Sequence, residues 1–259
     1  MRRLGGGFKI RLLIGLGIIL FSLFKYYANR ETNPYTGKKQ SITLSAEDEI
    51  ALGLQSAPSM AQQHGGLYPD QEAQDLVDAV GRKLVNNSIA KETPYRYDFH
   101  LLRDPKTINA FALPGGQIFI TYALFSQLKT EDQLAGVLGH EIGHVVGRHS
   151  AERMAKQGLT QGIISGVMVG ADGGAGQMAA MIANVVNMKY GRGDELESDE
   201  LGVKFMLDAG YQPEEMIGVM EILKAASGPN RTPEFQSTHP DPENRIEKIK
   251  AAIEKYRKG

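Results

Sequence analysis

Residues 140–144 read His-Glu-Ile-Gly-His, a spacing suited to metal chemistry. On a helix, residues four apart lie about 40° apart on one face, so His140 and His144 can offer two imidazoles to one ion. Glu141 is turned about 100° from His140 and stands beside such an ion, where a base for an attacking water belongs. A catalytic zinc site takes three protein ligands and keeps one position open, so one ligand is still missing. The 259 residues contain no Cys and six His. Disulfides and Cys-based zinc sites are therefore excluded, and imidazoles must supply any nitrogen ligands.

The third ligand is sought among the acidic residues. Residues 193–200 read Gly-Asp-Glu-Leu-Glu-Ser-Asp-Glu and open a helix that runs to about Ala209. Acidic residues favour a helix start, and ordinary capping accounts for most of them. Yet Glu195 and Asp199 are four apart on one face. Glu195 completes a His-His-Glu set, and Asp199 can hold a ligand imidazole by its other nitrogen. Glu197 projects about 160° away from Glu195 and is expected to stay off the metal. His149 invites a metzincin reading, which Gly147 fits, but the last position of that pattern is Ser150. On a continuous helix His149 lies about 180° from His140 and cannot reach the same ion. His64, in a Gln/Gly loop, reads as solvated, and His100 as structural.

The elements that must position these groups follow from periodicity and punctuation. Residues 130–156 read as one long helix capped by Thr130, with Gly136, Gly139, Gly143 and Gly147 inside it. Glycine costs up to about 1 kcal/mol each in a helix, so its repeated use predicts another backbone packed closely against this one. Residues 45–54 form a helix opened by Ser45 and Asp48, and residues 70–87 are amphipathic. Tyr95, Tyr97, Phe99 and Leu101 alternate with polar residues, as in a half-buried strand. In residues 109–121, two extended segments are broken by Pro114-Gly115-Gly116. If this hairpin borders the metal helix, a peptide can be added to it as an extra strand. Residues 157–188 carry one charge, Asp172. They read as two helical arms, 159–169 and 177–188, around a turn at 171–174: either a buried hairpin or a flap that touches a membrane or gates substrate. A helix from Tyr211-Gln212-Pro213 to about Gly228 follows, then a loop ending at His239-Pro240. Asp241-Pro242 caps a final helix to Lys258.

A net charge of −1 argues against a dedicated nucleic-acid binder. Residues 12–24 are an uninterrupted run of low polarity, preceded by Arg2, Arg3, Lys9 and Arg11 and followed by Lys25. A span needs about 20 residues. Lys9, Arg11 and Lys25 can snorkel, and Tyr26 and Tyr27 suit an interface, which lengthens the usable stretch. A cleaved secretory signal is the alternative, but no small-x-small site follows cleanly, and an uncleaved anchor is favoured. The basic residues before the run keep the amino terminus cytoplasmic. The expected organisation is a tail and anchor over 1–28, a linker over 29–44 and one domain over 45–259.

Asn109-Ala110-Phe111-Ala112-Leu113-Pro114-Gly115-Gly116, His140-Glu141-Ile142-Gly143-His144, Glu195-x-x-x-Asp199 and Ser237-Thr238-His239-Pro240 with Arg245 occur in this order. Across residues 45–255 the chain resembles the CAAX-prenyl-endopeptidase/HtpX-type family of gluzincin metallopeptidases. The resemblance implies an α+β fold, a mostly helical zincin-like domain with a small β-sheet, behind one N-terminal anchor. It implies one zinc ion per chain on His140, His144 and Glu195, with Glu141 as base and Asp199 and Arg245 behind the ligands. Substrate would lie along Asn109, Phe111, Leu113, Gly115 and Gly116. His239 would stand over the open zinc position, either donating to the oxyanion or acting as a fourth ligand that holds the enzyme latent. The implied activity is zinc-dependent endopeptidase action on misfolded or envelope polypeptides. The implied location is a bacterial inner membrane with the domain in the periplasm, or the periplasm after signal cleavage. A chaperone-like binding factor that uses the same groove with little proteolysis is the competing class. The chain looks closest to compact envelope-type members. It has no long hydrophobic spans beside the catalytic helix, and the expected organisation lacks the tetratricopeptide domain that some such members carry.

Overall fold

The computed structural model describes residues 6–171, 190–226, 233–239 and 244–258. In chain order the elements are α1 (Gly6–Ala28), β1 (Arg30–Thr32), β2 (Lys39–Ser41), α2 (Ala46–Gln63), α3 (Gln71–Asn86), β3 (Asp98–Leu102), β4 (Ala110–Ala112), β5 (Gln117–Thr121), α4 (Tyr122–Phe125), α5 (Glu131–Val146) and α6 (His149–Ala171). Then come α7 (Arg192–Asp208), α8 (Glu215–Ala226), α9 (Glu234–Thr238) and α10 (Arg245–Arg257). The fold is α+β, mostly helical with a small sheet, as expected. The chain divides into two compact units: residues 44–150 with 189–259, and residues 1–43 with 151–188.

The first of these units is built around α5. Thr130 caps it, its hydroxyl accepting from the Gln133 N–H at 3.2 Å, and every residue from Gln133 to Val146 is buried. A helix buried all round must be covered on every side. α3, α7, α8 and β4 do so. Two of the α5 glycines make the tightest of these contacts possible. A Cβ on Gly139 would lie 3.4 Å from the Gly202 Cα, and one on Gly143 only 2.9 Å from the Ser198 Cα. α5 and α7 therefore touch backbone to backbone, which carries the acidic start of α7 onto the histidine face of α5. Gly136 differs, since it faces Met216 of α8.

The sheet runs in the order β3-β5-β4, with β3 parallel and β4 antiparallel to β5. β5 is central and fully buried, so its ladder is used on both sides. Gly115 and Gly116, in the turn between β4 and β5, have φ of 80° and 107°. Side chains there would also meet the backbones of Ile50 and Arg96. These glycines are thus required by the turn and by what packs on it.

Three local expectations change. The helix read over 130–156 is two helices, because Arg148 adopts a left-handed φ of 56°. That conformation is unfavourable for a residue with a side chain. It is held by the Arg148 guanidinium on buried Glu49, at 2.6 and 2.8 Å, and on the Leu44 carbonyl at 2.8 Å. The helix opened by Ser45 does not stop at Leu54 but continues across Pro58 to Gln63. Residues 29–44, read as a linker, contain the antiparallel β1–β2 pair.

In the other unit, α1 is the one described helix long and apolar enough to cross a membrane. α6 packs on it through its glycines. A Cβ on Gly162 would strike the Ser22 side chain, and one on Gly166 would lie 2.5 Å from the Gly15 carbonyl and from Ile19. The first expected arm, 159–169, lies within α6. The turn from Asp172 and the second arm, 177–188, fall outside the described residues, as do Gly228, Pro240 and Asp241-Pro242.

Candidate active site

His140 and His144 sit one turn apart on α5, and α7 brings Glu195 against them. The His140 and His144 Nε2 atoms are 3.0 Å apart. Glu195 carboxylate oxygens lie 3.4 Å from the first and 3.5 Å from the second. His239, at the end of α9, inserts its Nδ1 at 3.3 Å from His140 Nε2, 3.2 Å from His144 Nε2 and 3.1 Å from Glu195 Oε1. All four side chains are buried.

These separations fit a metal. Four ligands at about 2.0–2.1 Å from a zinc ion stand at the corners of a tetrahedron whose edges are about 3.3–3.4 Å. The separations here run from 3.0 to 3.5 Å, with Glu195 offering Oε2 toward His140 and Oε1 toward His144 and His239. Three ring nitrogens facing each other this closely need something positive between them. Glu195 Oε2 and both Glu141 oxygens are also buried without hydrogen-bond partners among the described residues. Orphaned buried carboxylate oxygens are costly, and a cation with its attendant water satisfies them.

The electrostatics have the same sense. Burial disfavours a charged His140, yet hydrogen bonds with Asp199 and Glu195 outweigh it and push its pKa up to about 9. Burial holds His144 well below the ordinary histidine value, despite its hydrogen bond with Glu195. Burial alone would raise Glu195, but the three imidazoles hold it far below the carboxylate range. Glu141, fully buried on α5, is raised by burial, with His239 and His140 pulling the other way. Its Oε1 is 3.7 Å from His239 Nε2.

Behind the histidine pair, His140 Nδ1 donates to Asp199 at 2.8 Å. Arg245 grips the same carboxylate with a two-pronged contact, Nε to Oδ2 at 2.6 Å and Nη2 to Oδ1 at 2.8 Å. That fork fixes Asp199, and Asp199 fixes the ring that presents Nε2 to the centre. His144 is backed differently: Tyr190 stacks on it at 4.1 Å between centroids. His149 Nδ1 lies 2.9 Å from His144 Nδ1.

The residues read as a substrate edge divide by role. Ala112, Leu113, Pro114 and Gly115 border a small cavity with His144, Val145 and Arg148, so the hairpin does flank the α5 histidines. The sheet has two edges, β3 and β4; Gln74 and Tyr68 bond along β3, and β4 is the edge that packs against α5. Phe111 is half-buried there and stacks on Phe119 at 5.0 Å. Asn109 is buried, its N–H donating to Thr121 Oγ1 at 3.1 Å and its amide to Glu234 at 3.3 Å. It thus ties α9, which carries His239, to the start of the edge strand. The Phe235 N–H adds a second tie to the Ile108 carbonyl at 3.1 Å.

Glu197, read as facing away, reaches His149 at 3.1 Å. The contact of His149 with His144 and Glu197 was not readable in the sequence, because a helix drawn straight through Gly147 puts His149 on the far side. Tyr190 had no signal of spacing at all. His64 is not a free loop residue but bonds Asp104 at 3.0 Å. His100 bonds Gln117 at 3.0 Å, a structural use as expected.

The model of peptidase family M48 matches residues 71–253, which includes every element of this centre. The chain belongs to peptidase family M48. Similar curated proteins include the mitochondrial metalloendopeptidase OMA1 of Schizosaccharomyces pombe, 29% identical over 228 residues, covering 86% of this chain and 66% of the relative. The β-barrel assembly-enhancing proteases of Yersinia pestis and Escherichia coli are 30% and 29% identical, over 82% and 83% of this chain. The chain spans about half the length of these two, 45% and 46%. Family membership accounts for why a mostly helical chain keeps a small sheet beside its histidine helix.

Proposed function

We propose that this M48 member is a zinc-dependent endopeptidase. The observation that carries the reading is the set of four buried side chains whose donor atoms lie 3.0–3.5 Å apart, with the Glu141 carboxylate, which has no hydrogen-bond partner among the described residues, beside them. His140, His144 and Glu195 would hold the ion. A zinc ion there supplies Lewis-acid polarisation of the scissile carbonyl and acidifies a water. Glu141 takes the proton of the attacking water and hands it to the leaving amine. Asp199 and Arg245 keep His140 in the tautomer that offers Nε2. Retention of Glu141 and all three ligands favours an enzyme over a binding factor with an idle groove.

His239 is read as a fourth donor that closes the site. Its Nδ1 lies within 3.3 Å of both ligand nitrogens, a ligand's position rather than that of a donor standing off. With Glu141 fully buried beneath it, water and peptide reach the base only after α9 moves. Latency of this kind predicts equal or higher activity for His239→Ala. A transition-state donor predicts a fall of about 10²-fold in turnover. A peptide would then pair along the β4 edge, past Asn109, Phe111 and Leu113, with Gly115 and Gly116 shaping the turn that ends it.

The proposed organisation is an anchor over 1–28, a connecting segment over 29–44 and the peptidase domain over 45–259. The proposed setting is a bacterial inner membrane with the domain in the periplasm, supported by α1 and the basic residues before it. Relatives named for β-barrel assembly make envelope proteins and misfolded polypeptides the proposed substrates. The test is incubation of the full chain in detergent with unfolded casein, with and without a chelator, and mapping of the cuts. Chelator-sensitive internal cleavage, restored by zinc, supports the proposal; cleavage indifferent to the chelator overturns it.

A further inference from the structure

His149 is buried, lies off the ligand set, and is not used by the mechanism above. Its ring nevertheless has both nitrogens engaged. Nδ1 is 2.9 Å from His144 Nδ1 and 3.3 Å from Ser198 Oγ, and Nε2 is 3.1 Å from Glu197 Oε2. For His144 to turn a lone pair on Nε2 toward the centre, its Nδ1 must carry the proton. That proton needs an acceptor, and His149 Nδ1 is at hydrogen-bond distance. His149 must then carry its own proton on Nε2, where Glu197 accepts it.

We propose that Glu197 and His149 form a relay that fixes the tautomer and orientation of His144, as Asp199 does directly for His140. The proposal rests on the reading of His144 as a zinc ligand. The two ligand histidines are thus oriented by two carboxylates, one an imidazole farther out than the other. Both carboxylates come from α7, two residues apart, which explains how acidic residues on different faces of one helix serve the same centre.

The chain is shaped to place this ring. α5 ends at Gly147, and Arg148 takes its left-handed turn under the grip of Glu49. His149 folds back so closely that a Cβ on Gly147 would lie 2.4 Å from its Nε2. A helix continued without the break would carry His149 to the opposite face. The strained Arg148 and the bare Gly147 are the backbone conditions of the relay.

Two measurements on the full-length protein test it. The first is zinc affinity by competition with a chromophoric chelator. His149→Leu removes the acceptor and is expected to weaken zinc about 10–100-fold, the usual effect of losing a group that orients a ligand. His149→Asn sets Oδ1 where the imidazole Nδ1 stood and is expected to recover most of that loss. A packing role predicts the reverse order, with apolar Leu tolerated and polar Asn harmful. The second is side-chain ¹⁵N NMR of the zinc-loaded wild type, which needs no variant to fold. The relay predicts a proton on His144 Nδ1 and on His149 Nε2. A proton on His149 Nδ1, or wild-type zinc affinity in both variants, overturns the relay alone. A wild type that takes up no zinc overturns the relay and the ligand assignment together.

Discussion

Three acidic side chains of α7 meet three different neighbours, and their variants should separate accordingly. Glu195 faces the histidines, so Glu195→Ala should abolish stoichiometric zinc in the purified protein. Glu197 reaches the outer imidazole and not the two ligand rings, so Glu197→Ala should still purify with zinc. Asp199→Asn keeps an acceptor for His140 but loses the charge that Arg245 grips, and zinc should weaken by about 10–100-fold. Metal analysis of the three proteins decides the matter, and zinc lost only from the Glu197 variant would refute the register. The i,i+4 arithmetic that pairs His140 with His144 also pairs Glu195 with Asp199, so these four were legible in the sequence. His149 was not, because its place depends on one left-handed residue whose support, Glu49, lies 99 positions away.

Between elements, the decisive contact is the glycine seam of α5 and α7. Repeated glycine in residues 136–147 pointed to a closely packed partner, and α7 is that partner at Gly139 and Gly143. The two positions should answer differently to alanine. At Gly139 a Cβ finds ordinary contact at 3.4 Å, and the helix gains up to about 1 kcal/mol from losing a glycine. Gly139→Ala should therefore be neutral or slightly stabilising in thermal unfolding. At Gly143 the Cβ would lie 2.9 Å from the Ser198 backbone. Overpacking there costs about 1–3 kcal/mol, outweighs the helix gain and pushes Glu195 off the centre. Gly143→Ala should lower Tm and zinc affinity together; unchanged zinc affinity would show that the seam does not set the ligand. Periodicity could announce the seam but not its partner, since nothing in a local pattern distinguishes α7 from α8.

For the molecule as a whole, the proposed membrane placement depends on α1, and α6 packs on α1 through Gly162 and Gly166. If α1 spans the bilayer, whatever touches Gly15 and Ile19 lies at the depth of its lipid core. That favours the membrane-touching reading of the first arm over a buried hairpin. The absence of native Cys makes the point easy to test. Val167 on α6 is 54% exposed, so a thiol there is open to reagent in the absence of lipid. Val167→Cys in intact vesicles should resist a membrane-impermeant maleimide and react once detergent is added, while exposed Ser59→Cys on α2 reacts freely in vesicles with its domain outward. Equal labelling of both in intact vesicles would remove α6 from the membrane.

The claim on which the rest depends is that Glu141 is the proton acceptor beside a zinc ion held by other residues. It is tested most directly by measuring zinc content and casein cleavage on the same preparation of Glu141→Gln, next to wild type. One zinc per chain is expected in both proteins, with turnover in the variant lower by about 10²-fold or more. Near-normal turnover by Glu141→Gln with its zinc in place would contradict the claim.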